Sequence, residues 1–351
     1  MGPHPYGSFP SEIADYLRAQ GVEVSDDQAD RIVSHALSPR AAADAEKRPL
    51  KRTVRDAADR LLDQRRLEVV ERVADPTDGF VKYLFRHPDG ALSEAVRIPL
   101  HKPGTFSVCL SSQVGCAMKC DFCATGRLGL TRNLAPWEIV AQMVMVRDEA
   151  QQEGAGRVTS AVFMGQGEPF HNYDAVIRAA QMIANPLGCR LSAEAITIST
   201  VGLVPRIRRY TAEGHRYKLI VSLTSAIEDK RARLLPVASK YSLPEVAEAL
   251  REHAAARKTR VTVAWVTMAG VNTGADEARA LAELLIGVPI IVNLIDVNDA
   301  REDGYKAAGD AERRAFLDNL QILRAPVVRR YSGGKSKHAA CGMLAGLRLS
   351  A

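Results

Sequence analysis

No apolar run in the 351 residues is long enough to cross a bilayer, because a helical span needs about 20 consecutive apolar residues. The most apolar stretch, residues 282–295, is interrupted by Gly287, Pro289 and Asn293. The opening Met1-Gly2-Pro3-His4-Pro5-Tyr6 has neither the basic-then-apolar layout of a secretory signal nor the Ser or Thr at position 6 that myristoylation uses. A cytoplasmic protein with no membrane partner is therefore expected. Aromatic residues make up only 5% of the chain and are scattered, and there is no internal repeat or low-complexity linker, so fibrous and disordered classes are excluded. Cysteines number six, at 109, 116, 120, 123, 189 and 341. The middle three are too close in sequence for the disulfide framework of a small secreted domain, which leaves metal or redox chemistry.

The length suits one barrel-sized domain with a small accessory unit. A net charge of +6 and a pI near 9.0 lean towards a polyanionic partner, although many enzymes are as basic by drift. Helical spacing of Ile13, Tyr16, Leu17, Ala29, Ile32 and Val33, with a capping box at Ser25-Asp26-Asp27-Gln28, predicts a helical segment over residues 1–66. The basic run Lys47-Arg48-Pro49-Leu50-Lys51-Arg52 is either a phosphate contact or a solvated face. Residues 67–102 carry short β-branched runs split by Asp75-Pro76-Thr77-Asp78-Gly79 and Asp89-Gly90, the pattern of a small antiparallel meander. From 103 to 351, six strand signals near residues 107, 158, 195, 217, 261 and 290 alternate with helical periodicity, which predicts a parallel α/β architecture.

Cys116, Cys120 and Cys123 form a C-x3-C-x2-C triplet after the first of those strands. Three ligands are informative. Structural zinc sites and ferredoxin clusters take four donors, whereas three thiolates leave one iron of a 4Fe-4S cluster open to a further ligand. The competing reading is a zinc loop completed by a distant residue. The triplet, with Phe122 before its last cysteine, resembles the cluster motif of the radical S-adenosylmethionine (SAM) superfamily. Met164-Gly165-Gln166-Gly167-Glu168-Pro169 resembles the motif with which that superfamily binds the SAM amino group: glycine admits close backbone approach and Glu168 meets the charge.

A narrower resemblance spans residue 94 to the end. Ser111-Ser112-Gln113-Val114-Gly115-Cys116, Cys123-Ala124-Thr125-Gly126-Arg127-Leu128-Gly129, Gly167-Glu168-Pro169-Phe170-His171-Asn172-Tyr173, Ile198-Ser199-Thr200-Val201-Gly202, Leu235-Pro236-Val237-Ala238-Ser239-Lys240-Tyr241 and Ala339-Ala340-Cys341-Gly342 follow in order and are similar to the RlmN/Cfr family of radical SAM RNA methyltransferases. The resemblance implies a partial (β/α)6 radical SAM barrel with a small N-terminal helical plus β-meander accessory domain. It implies a 4Fe-4S cluster on Cys116, Cys120 and Cys123, and two SAM per turnover. Cys341 would take a methyl group from the first SAM, and the second would yield a deoxyadenosyl radical that removes a hydrogen from it. The carbon radical would add to an adenine ring carbon, C2 favoured as the more widespread branch and C8 as the alternative. Cys109, seven residues before the triplet, would resolve the adduct as a disulfide with Cys341.

Glu94 stands near the family's proton-acceptor position, although its spacing to Cys109 is slightly longer than the family's and a surface strand residue would read the same. Gly167, Glu168, Ser199, Ser222, Thr224 and Asn298 fall where the family contacts SAM. Cys189 matches nothing and reads as core filler. Implied partners are ribosomal RNA and transfer RNA, with an electron donor such as flavodoxin and a monomeric state. Arg206-Arg208-Arg209, Arg329-Arg330 and Lys335-Lys337 are candidate phosphate contacts or solvated faces. Three features depart from the family text: Thr224 replaces a histidine, Asp296 a proline, and Ser336-Lys337-His338 another run. Two alternatives are carried: the same chemistry on a small molecule or peptide, and a non-catalytic iron-sulfur RNA-binding protein.

Overall fold

A computed structural model describes residues 2–38, 49–299, 301–330, 333–334 and 338–344. Lys47, Arg48, Lys335, Ser336 and Lys337 lie outside the described residues. Among the described residues the chain opens with three helices: α1 (Pro10–Ala19), α2 (Asp26–Leu37) and α3 (Arg52–Leu61). Pro10 pre-sets the first turn of α1, where its missing N–H costs nothing. Ser25 and Gln28 cap α2 reciprocally, as the capping-box spacing predicts. Ile13, Leu17, Val33 and Val54 turn fully inward. The Arg147 guanidinium donates to the Leu37 carbonyl at 2.7 Å, and Arg178 pairs with Glu12 at 2.8 Å, tying these helices to the barrel.

The chain then alternates. In order come β1 (Glu68–Ala74), β2 (Val81–Arg86), β3 (Leu92–Pro99), β4 (Thr105–Cys109), β5 (Gln113–Gly115), α4 (Ala124–Leu128), β6 (Leu130–Asn133), α5 (Pro136–Gln152), β7 (Arg157–Phe163) and α6 (Tyr173–Ala184). There follow β8 (Ile196–Thr200), α7 (Val204–Ala212), β9 (Lys218–Ser222), α8 (Glu228–Leu234), α9 (Leu243–Arg257), β10 (Val261–Thr267), α10 (Ala275–Leu284), β11 (Ile290–Asp296), α11 (Asp310–Asn319) and β12 (Val327–Arg330). Ten strands form one sheet in the order β1-β2-β3-β4-β7-β8-β9-β10-β11-β12. From β4 to β12 every pairing is parallel, while β1 to β4 pair antiparallel. The meander thus continues the barrel sheet rather than standing beside it. All six expected parallel strands are present, and β12 is a seventh. Its Val-Val-Arg-Arg text is too short and too charged to read as a strand; pairing with β11 makes it one.

The sheet has two packed faces. Towards the helices lies the main core, including Val108, Phe163, Ile198, Val221, Val263 and Val292. Alternate residues face the other way, where Ile220, Ala264 and Ile295 gather with Met164 inside the barrel. A third cluster unites Phe80, Val96, Cys109 and Val162 with Ala339 and Leu344, so the C-terminal segment lies over β3, β4 and β7. β5 and β6 form a separate ribbon that frames the cysteine triplet. No helix is long and apolar enough to cross a membrane among the described residues.

Candidate active site

The triplet follows β5, where the backbone N–H of Cys116 donates to the Gly129 carbonyl at 2.8 Å. A Cβ on Gly115 would stand 1.9 Å from that same oxygen, and its φ is +75°, so this turn requires glycine. Lys119 holds a left-handed φ of +55° and winds the loop back on itself. Cys120 and Cys116 are buried, Cys123 half-buried at the start of α4. Burial, then the neighbouring sulfurs of Cys123 and Cys116, hold the Cys120 thiol well above its ordinary range. Three thiols are one short of the four donors that a structural zinc site takes. Three thiols without a fourth donor fit a 4Fe-4S cluster with one open iron.

Beside the triplet runs the loop after β7. A Cβ on Gly167, whose φ is +100°, would meet the Gln113 side chain at 2.6 Å. The Glu168 carboxylate accepts N–H groups from Phe170 and Val201, each at 3.0 Å, and so pins this loop to the one after β8. Burial raises its carboxyl to about 7 against those hydrogen bonds and that of Thr200. A cationic amino group arriving there would stabilise the carboxylate. Ser199 and Ser222 lie at the carboxyl ends of β8 and β9. Thr224 is fully buried with a φ of +61° and a hydroxyl that has no partner. A β-branched residue held so is strained, a state that persists where surroundings over-determine it.

The two distant cysteines meet in one cavity of about 1140 Å³. Cys109 ends β4, opposite Val96 and Val162. Cys341 is exposed on the cavity wall, in a segment stitched to the triplet. Its carbonyl accepts from Asn298 Nδ2 at 3.2 Å, the Gly342 carbonyl accepts from the Ala124 N–H at 2.8 Å, and the Leu344 carbonyl accepts from the Thr125 hydroxyl. Burial and then the Cys341 sulfur push the Cys109 thiol up to about 12. Surrounding protein, then the Cys123 sulfur, raise Cys341 to about 11 even though solvent in the cavity reaches it. Both are free thiols, and Arg330 is the cation that lowers each. Its guanidinium lies 3.2 Å from Met164 Sδ in the cavity wall rather than in solvent.

Glu94 is 1% exposed, which excludes the surface reading. Its carboxylate pairs with Lys82 Nζ at 3.1 Å and accepts from Gln166 Nε2 at 3.4 Å. The register places Lys82 opposite Val96, and Val96 opposite Cys109, so this ion pair occupies the same sheet face as Cys109. Val96 and Ile98 line the cavity. Lys82 belongs to no motif, and its signal in the sequence is a lone cation inside Val81-Lys82-Tyr83-Leu84-Phe85. Asn298 contacts the Cys341 backbone, and its Oδ1 is buried without a partner. The basic clusters are mostly neutralised: Arg208 pairs with Glu252, Arg209 with Asp174 and Glu213, and Arg329 with Asp296.

A parallel barrel with a three-cysteine loop at the carboxyl end of its first strand defines a radical SAM enzyme. The family model described as Radical SAM superfamily matches residues 110–285. The chain is 48% identical over 329 residues to a probable RNA methyltransferase of Anaeromyxobacter sp. (strain Fw109-5), covering 93% of this chain and 95% of that one. It is 40% identical over 280 residues to a probable dual-specificity RNA methyltransferase RlmN of Heliobacterium modesticaldum, covering 79% and 73%. The crystal structure of a radical SAM methyltransferase from Sphaerobacter thermophilus superposes with a TM-score of 0.90 at 35% identity, covering 98% of this chain and all of that one. The chain belongs to the RlmN/Cfr family of radical SAM RNA methyltransferases and is a SAM-dependent radical methyltransferase.

Proposed function

We propose that the enzyme methylates an adenine ring carbon in RNA, C2 in preference to C8, with Cys341 as the methyl carrier. The observation that carries this reading is the pairing of Cys109 and Cys341 on one cavity, next to the triplet and needed by neither to hold it. Cys116, Cys120 and Cys123 would hold a 4Fe-4S cluster, which when bound supplies the electron for radical cleavage of SAM. Glu168 would bind the SAM amino group, with Gly167 allowing close approach and Ser199, Ser222, Thr224 and Asn298 offering hydroxyl and amide partners. Cys341 loses its proton and accepts a methyl from one SAM; a second SAM is used for the radical step. After the carbon joins adenine, Glu94, which faces Lys82, takes the ring proton, and the odd electron of the adduct leaves to a one-electron acceptor, a role the cluster would fill. Cys109, as its thiolate, then attacks the Cys341 sulfur; the sulfur–carbon bond breaks with its electron pair left on the transferred carbon, which takes up a proton to become the methyl group, and a disulfide remains for an external reductant to open.

On this reading residues 1–66 and 67–102 are accessory, and 103–351 form the catalytic unit. The protein works as a cytoplasmic monomer on ribosomal RNA, and secondarily transfer RNA, with a flavodoxin-type electron donor. The test is peptide mass spectrometry of anaerobically purified, cluster-loaded protein after incubation with SAM. A methyl group on the Cys341 peptide, absent in Cys341→Ala, is expected; an unmodified peptide from protein that holds its iron would overturn the carrier role. Product analysis on unmodified ribosomal RNA then separates C2 from C8. Methyl loading with no RNA product would move the acceptor to a small molecule or peptide.

A further inference from the structure

The loops that feed the amino ends of the parallel strands gather at the barrel end away from the triplet. Around β9 and β10 they form a cup of about 560 Å³ lined by Arg216, Lys218, Arg257, Lys258 and Arg260. Among the described residues Glu194 is the only acidic one in its wall, and it pairs with Arg216. Among the described residues no ion pair engages Lys218, Arg257, Lys258 or Arg260, in contrast to the neutralised cations of the outer helices. Lys258 is held at a left-handed φ of +48° where α9 ends, at the rim of the cup. His253, also in this wall, is lowered to about 4 by burial and Arg257. It therefore adds no charge at neutral pH, and the excess is carried by arginine and lysine.

This cup adjoins the catalytic cavity, for Glu194 and Lys218 line both. Between that shared rim and Cys109 the cavity is walled by hydroxyls on alternate positions of successive strands: Ser107 of β4, Ser160 of β7 and Thr197 of β8. Ser107 Oγ is buried and has no hydrogen-bond partner, although such groups are nearly always satisfied. A neutral hydroxyl wall suits the edge of a base, and uncompensated cations suit the phosphates beside it.

Resting on the RNA reading above, we propose that RNA docks at the amino end of the barrel. Its backbone lies on Lys218, Arg257, Lys258 and Arg260, while one unstacked nucleotide passes up the hydroxyl-lined interior and meets Ser107 below Cys109 and Cys341. Such access demands a loop or bulge, because a paired base cannot leave its stack to enter.

The probe is an RNA hairpin with an unpaired adenine in its loop, titrated against cluster-loaded enzyme at several salt concentrations. In R257A/K258A/R260A, affinity should fall about tenfold or more, and the slope of log affinity against log salt should flatten by about 2, each lost phosphate contact contributing ~0.7–0.9. Iron content and melting temperature of the triple variant, with the single R260E as a second probe, separate binding loss from misfolding. S107A should lower kcat/KM on the hairpin about tenfold, with recovery in S107T, which keeps the hydroxyl. Wild-type affinity and salt slope in the triple variant and R260E would overturn the docking site, and an unchanged kcat/KM in S107A would remove Ser107 from it. If wild-type enzyme shows no salt-dependent RNA binding, the RNA reading itself falls and this inference with it.

Discussion

Glu94 and Lys82 are both nearly solvent-free, at 1% and 2%. Two charges so placed lose several kcal/mol of hydration each and regain part of it through one another, Glu94 accepting from Gln166 as well. Lys82→Met alone should therefore cost about 3–5 kcal/mol in denaturant unfolding, because it removes the cation facing a buried carboxylate, whereas Lys82→Met with Glu94→Leu should recover most of the loss. A double variant no more stable than the single would show that Glu94 is held by other groups. Glu138 illustrates the opposite balance. Burial raises its carboxyl, but His87, Arg132 and the Ala135 N–H outweigh it and bring it to about 2 from 4.5. A depressed carboxylate contributes stability above its unfolded value and loses it as pH falls through the folded one. Glu138→Gln should destabilise by about 1–3 kcal/mol at neutral pH. The gap from wild type should close between pH 4.5 and about 2; a gap independent of pH would refute this account.

At the scale of the element, the cysteine loop is shaped by what presses on it. A Cβ on Gly126, in the first turn of α4, would fall 2.8 Å from the Cys120 carbonyl oxygen and 2.9 Å from its nitrogen. Neither atom is the yielding end of a side chain, so the loop must open to admit a methyl group. Gly126→Ala should cost about 1–3 kcal/mol and lower the iron bound per chain after anaerobic reconstitution. Full iron loading with unchanged stability would show that the loop tolerates displacement. The ribbon of β5 and β6 acts at the same scale. Arg132, on β6, pairs with Asp89 of the β2–β3 turn and with Glu138 of α5, fixing the frame from two sides.

Across the whole molecule, the proposed methyl-carrier role of Cys341 rests on a seam. Residues 338–344 are held against the triplet's helix by Ala124 and Thr125, and against the loop after β11 by Asn298. The barrel does not need this seam for its sheet, which is paired from β1 to β12 without it. Asn298→Ala should accordingly change unfolding free energy by less than about 2 kcal/mol while slowing Cys341 methylation about tenfold or more, since small misplacements of a reacting atom are costly. Equal loss of stability and of methylation would make Asn298 a folding residue only.

The amino-acid sequence by itself determined what is local or periodic. Ligand spacing in the triplet, glycines in the loop after β7, the Ser25 cap and the alternation behind six strands all act over a few residues, so their chemistry can be read in order along the chain. Lys82 stands in the sequence only as a lone cation in an apolar strand, and Arg330 read as either a phosphate contact or a solvated face because its strand is four residues long. The family resemblance already implied that Cys341 meets Cys109; only the tertiary structure decided that Glu94 is buried against Lys82 and that cations from separate loops, without ion pairs among the described residues, share one cup. The physical reason is that these juxtapositions depend on how a twisted sheet closes and which end its loops reach. No residue-by-residue preference encodes that geometry, which emerges when hydrogen-bonded strands and their packed helices are assembled together.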